Sequence, residues 1–148
     1  MAPVTSEEVT GMDTNDKGEY ALLKVKQLAL ERNITLSQPT MPSRRYDLIV
    51  DCGERLVRAQ VKYADAKITN ASGSVYLNLR KVTRGNKPGK QFYTAEEIDV
   101  LLVYLPKIDR ILWLEAEHFH CKSAIAIRFE PTKNNQSKGC LMAQDYFW

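Results

Sequence analysis

The sequence lacks the segments that place a protein in or across a membrane. No apolar run among its 148 residues approaches the roughly 18 to 20 that a membrane-spanning helix requires. The first residues are acidic rather than basic and contain no apolar stretch, so they do not have the composition of a secretory signal. These absences predict a cytoplasmic protein without a membrane partner.

Cysteine and histidine are also scarce. The three cysteines, Cys52, Cys121 and Cys140, show no Cys-x-x-Cys spacing, which argues against a disulfide framework and fits a reducing compartment. Both histidines lie in the stretch "HFHC", where strand geometry would place His118 and His120 on one face. Because no second pair of ligands occurs elsewhere, we favour ordinary polar residues at a strand end over a zinc site.

Charge is distributed unevenly along the chain. The net charge is only +3, but the stretch from Arg55 to Lys90 contains nine Lys or Arg residues and one acid, Asp65. The rest of the chain therefore has 12 of the 21 basic residues and 17 of the 18 acidic ones. A basic middle in an otherwise acidic chain indicates a polyanion partner, and we favour nucleic acid over a merely solvated basic face.

The length fits one domain with a buried core. Residues 1–12 have no hydrophobic periodicity, and we expect a flexible N-terminal arm or a remnant of cloning there. Residues 13–148 are expected to form a single domain. The stretches "IDRILWLEAE" and "CLMAQDYFW" are the candidate interface. The closing aromatic residues of the second stretch would be unusual in a free tail, so we expect them to pack on the domain or on another subunit.

Apolar residues recur at helical spacing between Asp16 and about Arg32. The stripe consists of Ala21, Leu22, Val25, Leu28 and Ala29. Asp16 is the expected N-cap, which would put Glu19 at the third helical position, and Asn33 ends the helix. The next segment, Leu36–Ser43, contains two prolines and is expected to be a loop.

A β-hairpin is predicted from Tyr46–Asp51 and Arg55–Lys62. A turn of three residues would place Asp47 opposite Ala59, whereas a turn of two residues would place it opposite Gln60. In either register Asp47 lies within cross-strand reach of Gln60. Gln60 and Lys62 share one face of their strand, because side chains two residues apart point the same way.

Further strands are expected along the second half of the chain. They are Ser74–Leu79, Ile98–Leu105, Arg110–Glu115 and Ser123–Phe129. In the first of them apolar side chains alternate with Tyr76, Asn78 and Arg80, which predicts a polar outer face.

A face that holds Asp47, Gln60 and Lys62 suits phosphodiester hydrolysis. An aspartate and neighbouring oxygen donors can hold Mg²⁺, and a nearby lysine can stabilise developing charge or position the nucleophile. Glu19 is the candidate acid from the helix. The alternatives are that Glu19 is a capping partner, that Asp47 is a strand-entry residue, and that Gln60 and Lys62 are ordinary exposed residues.

These residues resemble the PD-(D/E)xK nuclease superfamily, which has the restriction-endonuclease-like fold. The resemblance rests on Glu19 in "KGEYA", Asp47 in "RYDLIV" and "QVK" at residues 60–62, in the family's order, and it extends from Lys17 to about Glu117. Within the superfamily, the intron-encoded homing endonucleases of cyanobacteria are the most similar. One position departs from the usual pattern, because Gln60 stands where the superfamily has an acid.

The resemblance implies an α/β fold with a mixed central sheet flanked by helices. It implies that Mg²⁺, or another divalent cation, is held by Asp47, Gln60, the backbone carbonyl of Val61 and Glu19, and that Lys62 takes part in catalysis. It further implies a homotetramer, built as a dimer of dimers, that cuts double-stranded DNA at a long, partly palindromic site during intron homing.

The strand from Ser74 and the loop that follows it are the candidate DNA-reading segment. The expected base-reading residues are Tyr76, Asn78, Arg80 and Lys81. The expected phosphate-binding residues are Arg84, Lys87 and Lys90. Two other functions are open: a Holliday-junction-type, structure-specific nuclease, and a non-catalytic DNA-binding module on the same scaffold.

Overall fold

The computed structural model describes residues 11–64, 73–80, 92–130 and 139–148. The helices there are α1 (Thr14–Glu31), α2 (Ala116–Phe119) and a 3₁₀ turn (Ala143–Asp145). The strands are β1 (Leu36–Ser37), β2 (Leu48–Asp51), β3 (Leu56–Tyr63), β4 (Ser74–Asn78), β5 (Val100–Leu105), β6 (Arg110–Glu115), β7 (Ala124–Arg128) and β8 (Cys140–Met142). Across these described ranges, no helix is both long and apolar enough to cross a membrane.

Helix α1 begins three residues earlier than the sequence pattern indicates. Its N-cap is Asp13, whose carboxylate accepts a 2.9 Å hydrogen bond from the backbone N–H of Asp16. The predicted N-cap at Asp16 is therefore wrong, and Asp16 occupies the third helical position instead. It follows that Glu19 is not a capping-box partner, because that position lies three residues after the cap.

The predicted end and inner face of α1 are confirmed. Asn33, just beyond the helix, adopts a φ of 57°, a left-handed conformation that Asn tolerates better than most residues. The fully buried residues of the helix are Ala21, Val25 and Ala29. They recur every four residues and pack one stripe of α1 onto the sheet, as the apolar spacing predicts.

Five strands form a mixed central sheet in the order β1-β2-β3-β5-β6. All neighbours are antiparallel except β3 and β5, which run parallel. The first strand, Leu36–Ser37, pairs with β2, so the expectation that Leu36–Ser43 is entirely a loop is wrong at its start. Edge pairing with β2 overrides the loop composition of this segment.

The β2–β3 hairpin closes with the two-residue turn. Leu48 lies opposite Ala59, and the backbone N–H of Cys52 donates to the carbonyl of Arg55 at 3.0 Å. Gly53 in the turn has a φ of 82°, which only glycine adopts without strain. In this register Asp47, one residue before β2, lies opposite Gln60.

The remaining strands form a three-stranded small sheet in the order β4-β7-β8. Its first strand alternates as predicted, with Tyr76, Asn78 and Arg80 exposed and their neighbours buried. The buried side chains of this sheet pack on one face of the central sheet, together with α2. Helix α1 packs on the opposite face. The central sheet therefore lies between α1 on one side and the small sheet on the other.

The two apolar segments that the sequence marks as a candidate interface pack on each other. Residues Tyr146 to Trp148 continue the central sheet beyond β6. The N–H of Trp113 donates to the carbonyl of Tyr146 at 2.8 Å, and the N–H of Trp148 donates to the carbonyl of Ile111 at 2.9 Å. The indole rings of Trp113 and Trp148 lie 5.6 Å apart. Their apolar character is thus accounted for within one chain, and an interface there stays a prediction.

We expected the "HFHC" stretch to lie at a strand end, and this is wrong: it forms the end of α2. His118 and His120 consequently contact different partners. The ring of His118 meets the ring of Tyr146 edge-on at 4.8 Å, whereas Nδ1 of His120 accepts a hydrogen bond from the N–H of Ala95 at 2.9 Å. The helix turn separates two side chains that strand alternation would have aligned.

Candidate active site

Asp47 lies at the entrance to β2, on the face of the central sheet that is turned away from α1. Its backbone N–H donates to the carbonyl of Ala59 at 2.9 Å, which fixes it against β3. The next residue, Leu48, is fully buried under α1, so alternation turns the Asp47 side chain to the other face. The carboxylate is half-buried there.

One oxygen of Asp47 accepts two hydrogen bonds from β3. The side-chain amide of Gln60 donates to Oδ2 at 2.8 Å, and the backbone N–H of Val61 donates to the same atom at 2.9 Å. The N–H and C=O of a strand residue point to the same side, so the Val61 carbonyl also faces the Asp47 side of β3. The hairpin thus brings together three of the predicted metal ligands.

Lys62 shares the face of Gln60, as predicted from their spacing. Its neighbour across the parallel pair is Val103, which belongs to the core under the small sheet. The Lys62 ammonium lies over the ring of Tyr93, with Nζ 5.1 Å from the ring centroid. The sequence offered no signal for this contact, because the two residues are distant in the chain and belong to different segments.

Glu19 is not brought into contact with these residues. It is exposed in the second turn of α1, and within the described part of the chain it makes no hydrogen bond or ion pair. The N-terminal part of α1 does lie close to the end of β3, since Nζ of Lys17 is 5.8 Å from the ring centroid of Tyr63. The assignment of Glu19 to the site stays a prediction.

Arg58 stands on the same face of β3, where the sequence counted it only as part of a basic stretch. Its guanidinium donates to both carboxylate oxygens of Asp99, from Nε at 3.0 Å and from Nη2 at 2.9 Å. These hydrogen bonds hold the pKa of the Asp99 carboxyl below its ordinary value and raise the pKa of Arg58. Arg58 is therefore committed to an internal ion pair and is a poor candidate for a phosphate contact.

Two other members of the basic stretch can be placed. Arg55 forms an ion pair with Glu115 at 2.9 Å, so this cation is also neutralised within the chain. Arg80 is exposed next to Tyr76 and Asn78 on the outer side of the small sheet. The predicted DNA-binding residues Lys81, Arg84, Lys87 and Lys90 lie outside the described residues.

The segment Phe92–Asp99 borders the face that holds Asp47 and Lys62. It supplies the Tyr93 ring under Lys62 and the Asp99 carboxylate that pairs with Arg58. It also supplies Glu97, whose carboxylate forms a 2.6 Å ion pair with Nε of Arg45, two residues before Asp47. The segment is thus connected to β3 and to Arg45, three residues before β2.

Two comparisons with known proteins bear on this arrangement. The sequence matches the PD-(D/E)XK endonuclease family over residues 12–148. The chain belongs to this family. Its fold is similar to that of a bacterial homing endonuclease, I-Ssp6803I, with a TM-score of 0.70 and 21% sequence identity over 92% of this chain and 89% of the other. A comparison with curated proteins found no match.

PD-(D/E)XK nucleases generally use divalent metal ions, so the donor set around Asp47 can be tested for such an ion. Asp47, the Gln60 amide and the Val61 carbonyl all offer oxygen, the ligand that Mg²⁺ prefers. Among the described residues, no three His, Cys, Asp or Glu side chains gather around one point. This is compatible with Mg²⁺, which commonly binds through one or two carboxylates and completes its shell with water and substrate phosphate.

Proposed function

We propose that this PD-(D/E)XK family member is a Mg²⁺-dependent endonuclease that cuts both strands of DNA at a specific, long and partly palindromic sequence, as in intron homing. The observation that carries the proposal is the joint placement of Asp47, Gln60 and Lys62 on one face of the central sheet. A structural hairpin does not require these three polar groups to meet. The similarity to a homing endonuclease fold supports the finer assignment.

Asp47, the Gln60 amide oxygen and the Val61 carbonyl are the groups that would hold Mg²⁺, with Glu19 completing the protein ligands. When bound, the cation supplies charge stabilisation at the phosphate and lowers the pKa of the attacking water. Gln60 can serve both needs of the site, because its amide donates to Asp47 through nitrogen and keeps a carbonyl oxygen for the cation.

Lys62 is assigned to the phosphate that is cut. A phosphodiester develops negative charge on its oxygens as the bond to the leaving oxygen breaks, and a preorganised ammonium stabilises that charge. Lys62 lies two residues from Gln60 on the same face, so its stem extends along the surface next to the proposed cation site. Its half-buried position reduces competition from water.

The proposed DNA-reading surface begins on the outer side of β4. Tyr76, Asn78 and Arg80 are exposed there and present donors and acceptors that suit base edges in a major groove. Lys81, which follows in the sequence, is assigned to base reading with them, and Arg84, Lys87 and Lys90 of the basic segment beyond it are assigned phosphate contacts. Arg55 and Arg58 are left out of this surface because carboxylates already neutralise them.

One such site cuts one strand, so double-strand cleavage implies at least two subunits or successive nicks. We therefore propose that the chain acts as a homotetramer, a dimer of dimers whose two-fold symmetry matches the palindromic part of the target. Light scattering of the purified protein, with and without target DNA, tests this assembly. A monomer under both conditions contradicts it.

The activity is tested by selecting cleaved sequences from a random double-stranded DNA library in the presence of Mg²⁺. Wild-type protein should enrich one long site and cut it on both strands. Asp47→Asn should abolish cleavage, while Asp51→Asn, a matched change at an exposed position four residues away, should retain it.

The same assay compares lysines. Lys62→Met should lose cleavage, whereas Lys107→Met should retain it; Lys107 also lies on an aromatic ring, with Nζ 5.2 Å from the Phe129 centroid. Cleavage confined to branched DNA would instead indicate a structure-specific nuclease. Specific binding without cleavage, unchanged by Lys62→Met, would indicate a non-catalytic DNA-binding module.

A further inference from the structure

The Tyr93 ring is the immediate surface on which the Lys62 ammonium lies. Tyr93 is only 2% exposed, and the 5.1 Å between Nζ and the ring centroid is within the range of a cation–π contact. The ring belongs to the core under the small sheet, whereas Lys62 extends from the central sheet. The buried Tyr93 ring therefore lies directly beneath the Lys62 ammonium.

Two hydrogen bonds hold the backbone at Tyr93 and just after it. The carbonyl of Tyr93 accepts a hydrogen bond from the N–H of Cys121 at 3.0 Å, and the N–H of Ala95 donates to His120 at 2.9 Å. These two bonds attach the start of the Phe92–Asp99 segment to the end of α2. The position of the ring is consequently set by the fold rather than by Lys62.

The same segment is also attached to the strand that carries Lys62. The Arg58 guanidinium donates to the carbonyl of Glu96 at 2.6 Å and to the carboxylate of Asp99 at 2.9 Å. Arg58 and Lys62 are four residues apart on β3 and therefore share a face. These bonds fix the segment against β3 itself, so the distance from the ring to the Lys62 backbone is constrained from both ends.

We infer that Tyr93 is a positioning residue for Lys62, an assignment that rests on the proposed function. A lysine has four flexible side-chain bonds and about 2 kcal/mol of rotamer entropy to lose when its amine is fixed. The negative face of the Tyr93 ring attracts the ammonium and so favours the side-chain conformation that places Nζ above the ring. The Tyr93 ring thereby keeps the Lys62 ammonium on the face shared with Asp47 and Gln60 before DNA binds.

Two variants of Tyr93 distinguish the effect of the aromatic ring from the effects of the hydroxyl group and of side-chain volume. Tyr93→Phe keeps the ring, and Tyr93→Leu removes it while leaving an apolar side chain of useful size. Phe119→Leu is the matched control, since Phe119 is fully buried in the same core and has no contact with Lys62 among those described. Each protein is assayed for the single-turnover cleavage rate with Mg²⁺ and for DNA affinity without a divalent cation.

Tyr93→Leu should lower the single-turnover rate by about tenfold. The free energy of a partly desolvated cation–π contact corresponds to about a tenfold change in rate. DNA affinity should change by less than about twofold, and Tyr93→Phe and Phe119→Leu should keep the rate within about twofold of wild type. An equal loss in Phe119→Leu, or an unchanged rate in Tyr93→Leu, would overturn the assignment.

A readout without DNA separates this inference from the proposed nuclease activity. The ε-methylene protons of Lys62, assigned by comparison with Lys62→Met, should be shifted upfield by the Tyr93 ring current. The shift should persist in Tyr93→Phe and vanish in Tyr93→Leu. If wild-type protein lacks the shift, the contact is refuted whatever the activity; if the shift is present but the protein cuts no DNA, the nuclease proposal and the positioning role fail while the contact stands.

Discussion

The side-chain amide of Gln60 donates a 2.8 Å hydrogen bond to the carboxylate of Asp47. At the position where the PD-(D/E)XK pattern has an acid, this chain therefore has a hydrogen-bond donor. An acid at residue 60 would bring two carboxylates to this separation and would require a proton or a cation between them. The amide allows Asp47 and residue 60 to be in contact without a cation between them.

Gln60→Glu should therefore make the fold depend on Mg²⁺. We expect a loss of about 1–2 kcal/mol without divalent cations, equivalent to roughly 3–8 °C in the unfolding midpoint, and recovery when Mg²⁺ is added. Gln27→Glu is the control, because Gln27 makes a similar 3.0 Å hydrogen bond to Glu31 on the exposed side of α1. Calorimetry with and without Mg²⁺ measures the stability of both variants; equal Mg²⁺ effects in the two variants would contradict the prediction.

Gln60→Ala should abolish cleavage, and full activity of this variant would remove Gln60 from the site.

Glu19→Gln should leave stability unchanged to within about 0.5 kcal/mol, because the exposed side chain neither caps α1 nor contacts other described residues. If Glu19 completes the cation site in the DNA complex, cleavage should nevertheless fall by at least about 100-fold, a typical loss when one charge-stabilising group is removed. Glu31→Gln, near the other end of the helix, serves as the control. Normal cleavage by Glu19→Gln would exclude it from the site.

The Arg58–Asp99 pair should contribute to stability in a pH-dependent way. Hydrogen bonds from Arg58 lower the pKa of Asp99 in the folded protein, so the stabilisation is present above the ordinary carboxyl pKa near 4 and is lost as the pH falls through the lower folded value. Because both side chains are about one-third exposed, we expect Asp99→Asn to cost only about 1 kcal/mol near neutral pH. Urea unfolding should show the two proteins converging as the pH is lowered from 6 towards about 3. A constant difference over that range would show that the pair's charge is not responsible.

Residues Tyr146 to Trp148 should protect the edge of the central sheet. Their removal would break the backbone bonds to Ile111 and Trp113 and expose the β6 edge together with one face of the Trp113 indole. We expect a loss of about 3 kcal/mol and concentration-dependent association, measured by urea unfolding and light scattering. Trp148→Phe, which keeps the backbone pairing, should remain soluble and lose less than half as much. A stable, soluble truncated chain would contradict this role.

Local patterns in the sequence account for much of the hairpin and its polar face. Alternation along β3 predicts that Gln60 and Lys62 share a face, and the short turn brings Asp47 beside them. The apolar stripe of α1 and the alternation in β4 are likewise local properties and agree with the structure. Local pattern does not locate the start of α1, because Asp13 and Asp16 are both suitable N-caps and only the hydrogen bond from the Asp16 N–H to the Asp13 carboxylate distinguishes them.

The sequence by itself determined which side chains share a face within one strand, one helix or one hairpin, because those relationships follow from backbone periods and a short turn. The tertiary structure alone decided that Tyr93 lies under Lys62, that Arg58 pairs with Asp99, and that β3 runs parallel to β5. Such contacts join segments separated by loops, and many pairings of those segments would bury similar apolar area. Their selection depends on the simultaneous packing of α1 and the small sheet on the two faces of the central sheet, which no local pattern encodes.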